Sequence, residues 1–195
     1  SVEFAEHRQY NRGEGVRHVD WKLYAKTDKL FVKKYEEETN LRCRIMLDVS
    51  PSMFFPGDKC DKLRFSVIAA AAIMQLMKKQ RDAFGLTLFD EKVTYESDIR
   101  SSLTHFGEML GKLQPYWDNS ILPKQGKSTG IAATLEYMAS TLKKRSFLVI
   151  FTDMFDRADE TDLEPVWNAL KHLKVYQHEI ILFNVRHAPQ EVEFK

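Results

Sequence analysis

Asp48, Ser50 and Ser52 stand together in IMLDVSPSM, Thr129 follows the polar stretch GKS, and Asp153 comes directly after FLVIFT. All of these side chains offer hard oxygen donors, with no His or Cys among them. Such a set suits Mg²⁺, with Mn²⁺ or Ca²⁺ as substitutes, and disfavours zinc or copper. Two carboxylates and three neutral hydroxyls, some acting through water, would leave Mg²⁺ a position that water or an outside carboxylate fills. The chemistry expected is an unfinished coordination sphere that a second protein completes.

Residues so far apart in sequence need a scaffold that returns to one edge. LRCRIMLD, from Leu41 to Asp48, is a short apolar run ending in a carboxylate. AFGLTLF at Ala83–Phe89 reads as a second strand, which Asp90-Glu91-Lys92 turns into a third, VTYES. FLVIF at Phe147–Phe151 is apolar at every position, as in a parallel strand covered on both faces. EIILFNV, from Glu179 to Val185, is the last strand.

Between these runs the period changes to that of helices. Leu63, Val67, Ala70, Met74 and Met77 share a face over Asp61–Lys79; Phe106, Met109, Leu110 and Leu113 mark a helix that Pro115 closes. Ile131, Leu135, Met138 and Leu142 form another face. Thr161 and Glu164 fit a capping box with Pro165 in the first turn behind it, opening a helix that buries Val166, Leu170 and Leu173. The alternation predicts an α/β fold: a doubly wound, mostly parallel sheet with helices on both faces. In such sheets ligands bind outside the carboxyl ends of the strands, near the switch in strand order. Asp48 and Asp153 are expected there, with Thr129 at the start of a helix nearby.

The 195 residues suit one main domain, 41–195, preceded by an extension, 1–40, packed on it. A net charge of +1 points away from nucleic acid and anionic membrane. Arg8, Arg12, Arg17, Lys22 and Lys26 interleave with Glu3, Glu6, Glu14, Asp20 and Asp28, so that segment reads as paired or solvated charge. Trp21 reads as a packing anchor, Asp156 as a loop acid, and His105, His172, His178 and His187 as surface or partly buried residues. Cys43, inside an apolar run, reads as a reduced, buried thiol, and the cytoplasm is the expected compartment. No run approaches the length of a membrane span. A first residue of Ser instead of Met reads as a piece of a longer protein.

DVSPS at Asp48–Ser52, TGIAATL at Thr129–Leu135 and FTD at Phe151–Asp153 resemble, in order, the motifs of the metal-ion-dependent adhesion site of von Willebrand factor type A domains. The segment HRQYNRGEGVRHVDWKLYAKTDKLFVKKYEEE resembles the bacterial family called domain of unknown function 58, whose pattern R-x-Y-x-x-G-[DE]-x-x-R-x-[IV]-D-W-[KR] falls on Arg8, Tyr10, Gly13, Glu14, Arg17, Asp20, Trp21 and Lys22. Glu14 stands for the more usual Asp and keeps the charge. The resemblance implies a von Willebrand factor A-like, Rossmann-like fold and, as a companion, a MoxR-type AAA+ ATPase or its client.

Together these readings lead to a metal-dependent protein–protein interaction module, an adaptor or cofactor for that ATPase, which is not an enzyme. The rival from another class is a metal-dependent phosphoester hydrolase with Asp48 as nucleophile. Ser50 stands where the general acid of that chemistry would be expected, two residues after the nucleophile, and no G-x-S-x-G elbow, P-loop or H-E-x-x-H is present. A structural domain with a vestigial metal site is the third reading.

Overall fold

The computed structural model describes residues 2–11, 15–37, 41–55, 61–121, 130–153 and 160–187. The chain divides into two compact units, Ser1–Asn40 and Leu41–Lys195.

In the first unit, β1 (Val2–Gln9) pairs antiparallel with β2 (Phe31–Glu37), and α1 (Trp21–Thr27) lies between them in sequence. Asp20 starts α1 by accepting hydrogen bonds from the Lys22 and Leu23 backbone N–H groups at 3.0 and 3.1 Å, while its other oxygen meets His7 Nε2 at 3.0 Å. A carboxylate in this position satisfies donors that the first helical turn leaves without partners. Asp28 ends α1 in the left-handed conformation, φ 55°. Trp21 corrects the sequence expectation of a packing anchor: it is 56% exposed, its ring set edge-on against Tyr24.

The second unit is built on a five-stranded sheet in the order β5-β4-β3-β6-β7. Its strands are β3 (Arg42–Asp48), β4 (Ala83–Phe89), β5 (Val93–Glu96), β6 (Phe147–Thr152) and β7 (Glu179–Asn184), all parallel to their neighbours except the edge strand β5. The helices are α2 (Asp61–Lys79), α3 (Leu103–Trp117), α4 (Ile131–Thr141) and α5 (Glu160–Val175). On one face, Cys43, Ile45 and Leu47 of β3 pack with Val67 and Met74 of α2 and Met109 and Leu113 of α3. On the other, Met46, Leu148 and Ile150 pack with Leu135 and Met138 of α4 and Val166 and Leu173 of α5. Alternate side chains of each strand thus enter opposite cores, which is why the central strands are apolar at nearly every position. The doubly wound α/β fold expected from the sequence is present. Among the described residues no helix is long and apolar enough to cross a membrane.

Two helix ends differ from expectation. Helix α3 continues through Pro115 to Trp117, since a proline in the last turn forgoes only one backbone bond. Helix α5 begins at Glu160, so Thr161 lies inside it and Pro165 is an interior residue, not part of the first turn. His105 and His178, expected to be surface or partly buried, are buried almost completely, at 5% and 2% exposed. The ring of His105 meets the Phe84 carbonyl at 3.0 Å, and His178 Nδ1 accepts from the Ser146 N–H at 3.1 Å. The His178 ring thereby satisfies the buried Ser146 N–H, while His105 shares the Phe84 carbonyl with the Arg100 N–H, which also donates to it at 3.0 Å.

One apolar strand carries a buried cation. Arg44 is 4% exposed, and its guanidinium donates to the Ser97 carbonyl at 2.6 Å and pairs with Glu96 at 3.2 Å. It reaches β5 across Gly85, its register partner on β4. A Cβ at Gly85 would lie 2.8 Å from the Asp98 carbonyl oxygen and 2.9 Å from Arg44 Nη1. Gly85→Ala should therefore lower stability by about 1–3 kcal/mol despite the smaller gain from a stiffer unfolded chain. Urea unfolding checks this; an unchanged or raised midpoint would contradict the packing account.

Candidate metal centre at the carboxyl edge of β3 and β6

The strand order reverses at β3: the chain moves to β4 on one side and returns to β6 on the other. Side-chain groups at the carboxyl ends of β3 and β6 consequently meet at the switch point. Asp48 is the last residue of β3 and Asp153 directly follows β6; they are 0% and 5% exposed. Ser50 and Ser52 belong to the turn after β3, in which Pro51–Phe54 form a short 3-10 helix. Val49 N–H donates to the Phe89 carbonyl at 2.8 Å, which ties this turn to the end of β4.

A continuous chain of contacts links four of the expected donors. Asp48 Oδ1 accepts from the Ser50 N–H at 2.9 Å and Asp48 Oδ2 from the Thr152 hydroxyl at 2.7 Å. The Ser50 and Ser52 hydroxyls are 3.1 Å apart, and Ser52 donates to Asp153 Oδ1 at 2.8 Å. Thr129, the fifth, lies outside the described residues, as does Asp156. Its neighbour Gly130 donates its N–H to the Asp90 carbonyl at 2.8 Å and packs so closely that a Cβ there would meet the Glu91 carbonyl oxygen at 1.9 Å. The start of α4 is thereby pinned to the turn that follows β4.

The donor set fits a small divalent cation. With metal–oxygen distances of about 2.1 Å, neighbouring vertices of an octahedron around Mg²⁺ lie about 3.0 Å apart. The spacings from Ser50 to Ser52 and from Ser52 to Asp153, 3.1 and 2.8 Å, match that edge length. Among the described residues no group of three or more His, Cys, Asp or Glu side chains converges to hold a metal, so the site depends on two carboxylates and on hydroxyls.

Lys62 and Thr152 were missed by sequence reasoning. Lys62, the second residue of α2, is 2% exposed and donates to Asp153 Oδ2 at 2.7 Å. It also lies 5.6 Å from the centre of the Phe55 ring. A cation in the first turn of a helix opposes the helix dipole. That anomaly, together with Ser66 one turn on, is the signal by which Lys62 was detectable. Asp153 thus has an internal counter-ion in Lys62, while Asp48 accepts from the neutral Ser50 N–H and Thr152 hydroxyl. Burial pushes the Asp48 pKa up to about 6, with the nearby Asp153 charge adding to the rise against the hydrogen bonds from Ser50 and Thr152.

A family model described as Protein of unknown function DUF58 matches residues 6–193. Uncharacterized proteins of Mycobacterium bovis and Mycobacterium tuberculosis are 25% identical over 192 residues, a match covering 96% of this chain and 56% of theirs. The chain therefore spans little more than half the length of the curated relatives it matches. Among solved structures, an aerotolerance-related membrane protein from Bacteroides fragilis, crystallised with multiple mutations to serines, aligns with a TM-score of 0.55 at 18% identity, over 74% of this chain and 67% of that one. The conserved hypothetical protein BatB from Bacteroides thetaiotaomicron gives 0.54 at 14%, over 73% and 65%. Proximal thread matrix protein 1 from the mussel byssus gives 0.54 at 14%, over 73% and 36%. These likenesses show the fold, which is von Willebrand factor A-like.

The charge distribution generates two expectations. A carboxyl whose folded pKa lies above its unfolded value of 3.8 favours folding when protonated, so its contribution is full below about pH 4 and lost as pH rises through 6. In chelator-treated protein the loss should approach about 3 kcal/mol, and Asp48→Asn should remove it from the stability–pH profile. A wild-type profile flat from pH 4 to 7 would contradict this. Lys62→Met leaves Asp153 buried without its counter-ion and should cost about 3–5 kcal/mol. A melting temperature equal to wild type in chelator would show that the ion pair is not needed to hold Asp153.

Proposed function

This chain belongs to the DUF58 family of unknown function, and we propose that its second unit is a metal-dependent protein–protein interaction module. The observation that carries the reading is the linked set Asp48–Ser50–Ser52–Asp153 at the switch point of the sheet. Those residues would hold Mg²⁺, or Mn²⁺ or Ca²⁺ in its place, with Thr129 as the expected fifth. Bound there, the ion would supply a positive point to which a carboxylate of a partner protein attaches. The chain's own part is positional. Thr152 and the Ser50 N–H hold the two Asp48 oxygens, and Lys62 and Ser52 hold the two of Asp153.

The same commitments support binding over catalysis. Both Asp48 oxygens already accept hydrogen bonds, and Ser50 stands where a phosphotransferase of the haloacid dehalogenase kind needs its general acid. The partner we propose is a MoxR-type AAA+ ATPase or its client, engaged in the cytoplasm; the family resemblance is the support for this assignment.

Calorimetric titration of Mg²⁺ into the wild type, Asp48→Ala and Ser52→Ala tests the site. Saturable heat should appear in the wild type and be lost in both variants. At 100 times Kd, binding stabilises the native state by about 2.7 kcal/mol, a rise in Tm of about 5–10 °C for a domain of this size. Silence with Mg²⁺, Mn²⁺ and Ca²⁺ alike would sink the proposal. Metal-dependent turnover of a phosphoester, abolished in Asp48→Asn, would replace it with the hydrolase reading.

A further inference from the structure

At the amino edge of the same sheet lies a polar cavity of about 440 Å³. Four basic side chains, Arg42, Arg44, Lys143 and Lys144, face two acids there, Glu96 and Asp98. Both acids have their own cations: Glu96 pairs with Arg44 and accepts from the Tyr137 hydroxyl at 3.0 Å, and Asp98 pairs with Arg100. The remaining charge is unbalanced. Among the described residues the Arg42 side chain makes no ion pair or hydrogen bond, and buried Nε–H groups of both Arg42 and Arg44 find no acceptor. A buried donor without an acceptor is costly, and in a native protein it calls for a partner.

Sequence places these groups with the same strand that carries the metal centre. Arg42 and Arg44 begin β3 on the face that ends in Asp48, and Lys143 and Lys144 follow α4 just before β6. Strand rise puts Arg42 about 20 Å from Asp48, so the two sites are separate. Burial lowers the Arg44 pKa, Glu96 opposes the shift and repulsion from the Arg42 charge adds to it. An anion seated between the two guanidinium groups would relieve that repulsion.

We propose that this cavity is a binding site for a small phosphorylated molecule, recognised by Arg42 and Arg44 from the sheet and by Lys143 and Lys144 from the α4–β6 connection. Guanidinium and ammonium groups converging from two sides match the oxygens of a phosphoryl group, which takes forked and point-charge donors together. A concave site of this volume suits a small molecule better than the flat surface of a macromolecule. Gly85 completes the design, because any side chain there would displace Arg44 from the wall.

The test is calorimetric titration of inorganic pyrophosphate into the whole chain in chelator, which keeps a metal-borne phosphate from the carboxyl edge. Sulfate at matched ionic strength is the reference, and Lys171→Gln, on α5, controls for loss of one positive charge. Saturable pyrophosphate binding should weaken by about tenfold or more in Arg42→Gln and in the Lys143→Gln/Lys144→Gln double variant, with Lys171→Gln unchanged. Binding that fails to saturate, or that sulfate reproduces in every variant, would overturn the proposal. So would a double variant that melts lower yet binds pyrophosphate as the wild type does, since the two lysines would then only offset the α4 dipole. Loss of Mg²⁺ binding in Asp48→Ala has no bearing on this result, so the two sites succeed or fail separately.

Discussion

Pairing β3 with β6 along Cys43–Leu47 and Phe147–Phe151 brings two carboxylates to one buried edge, and much of the local structure answers that concentration of negative charge. Removing a carboxylate from water is costly unless donors or a cation replace the solvent. The turn after β3 supplies an N–H and two hydroxyls, β6 supplies the Thr152 hydroxyl, and α2 supplies an ammonium in its first turn. Each contribution comes from a different segment, and each is directed at Asp48 or Asp153. Two carboxylates and one lysine leave this cluster acidic, which is the condition under which an added cation is held strongly.

The sheet is polar at both ends and apolar between. β3 begins with Arg42 and Arg44, passes through Ile45, Met46 and Leu47, and ends in Asp48. A parallel strand in the middle of a doubly wound sheet has its interior covered by helices on both faces, so only its ends can carry chemistry. That constraint explains why charged groups collect at opposite edges, acidic at the carboxyl end and basic at the amino end. It also explains the mid-strand glycine, since Arg44 is far enough inside the sheet that its neighbour on β4 must yield space.

The fold class was legible because period and burial coincide. Strands buried on both faces read as unbroken apolar runs, and helices with one buried face read as rows spaced three and four apart. Of the candidate site, Asp48, Ser50, Ser52 and Asp153 were legible from their positions at strand ends, where the topology predicts a crevice. Lys62 and Thr152 were not singled out, because a lysine in a helix and a threonine closing a strand have ordinary surface and packing readings. His105 and His178 escaped for a related reason. Their partners are backbone groups far away in sequence, and no spacing rule relates a side chain to a distant carbonyl or N–H.

By itself the sequence determined the order of strands and helices, the apolar rows and the acids placed at strand ends, since these follow from local periodicity. Only the tertiary structure decided that β6 lies beside β3, that Asp153 pairs with Lys62 while Asp48 accepts from Ser50 and Thr152, and that Arg44 crosses Gly85 to Glu96. Those outcomes depend on which distant segments meet at a distance of a few ångströms, and hydrogen bonding and charge compensation act at that range, not along the chain.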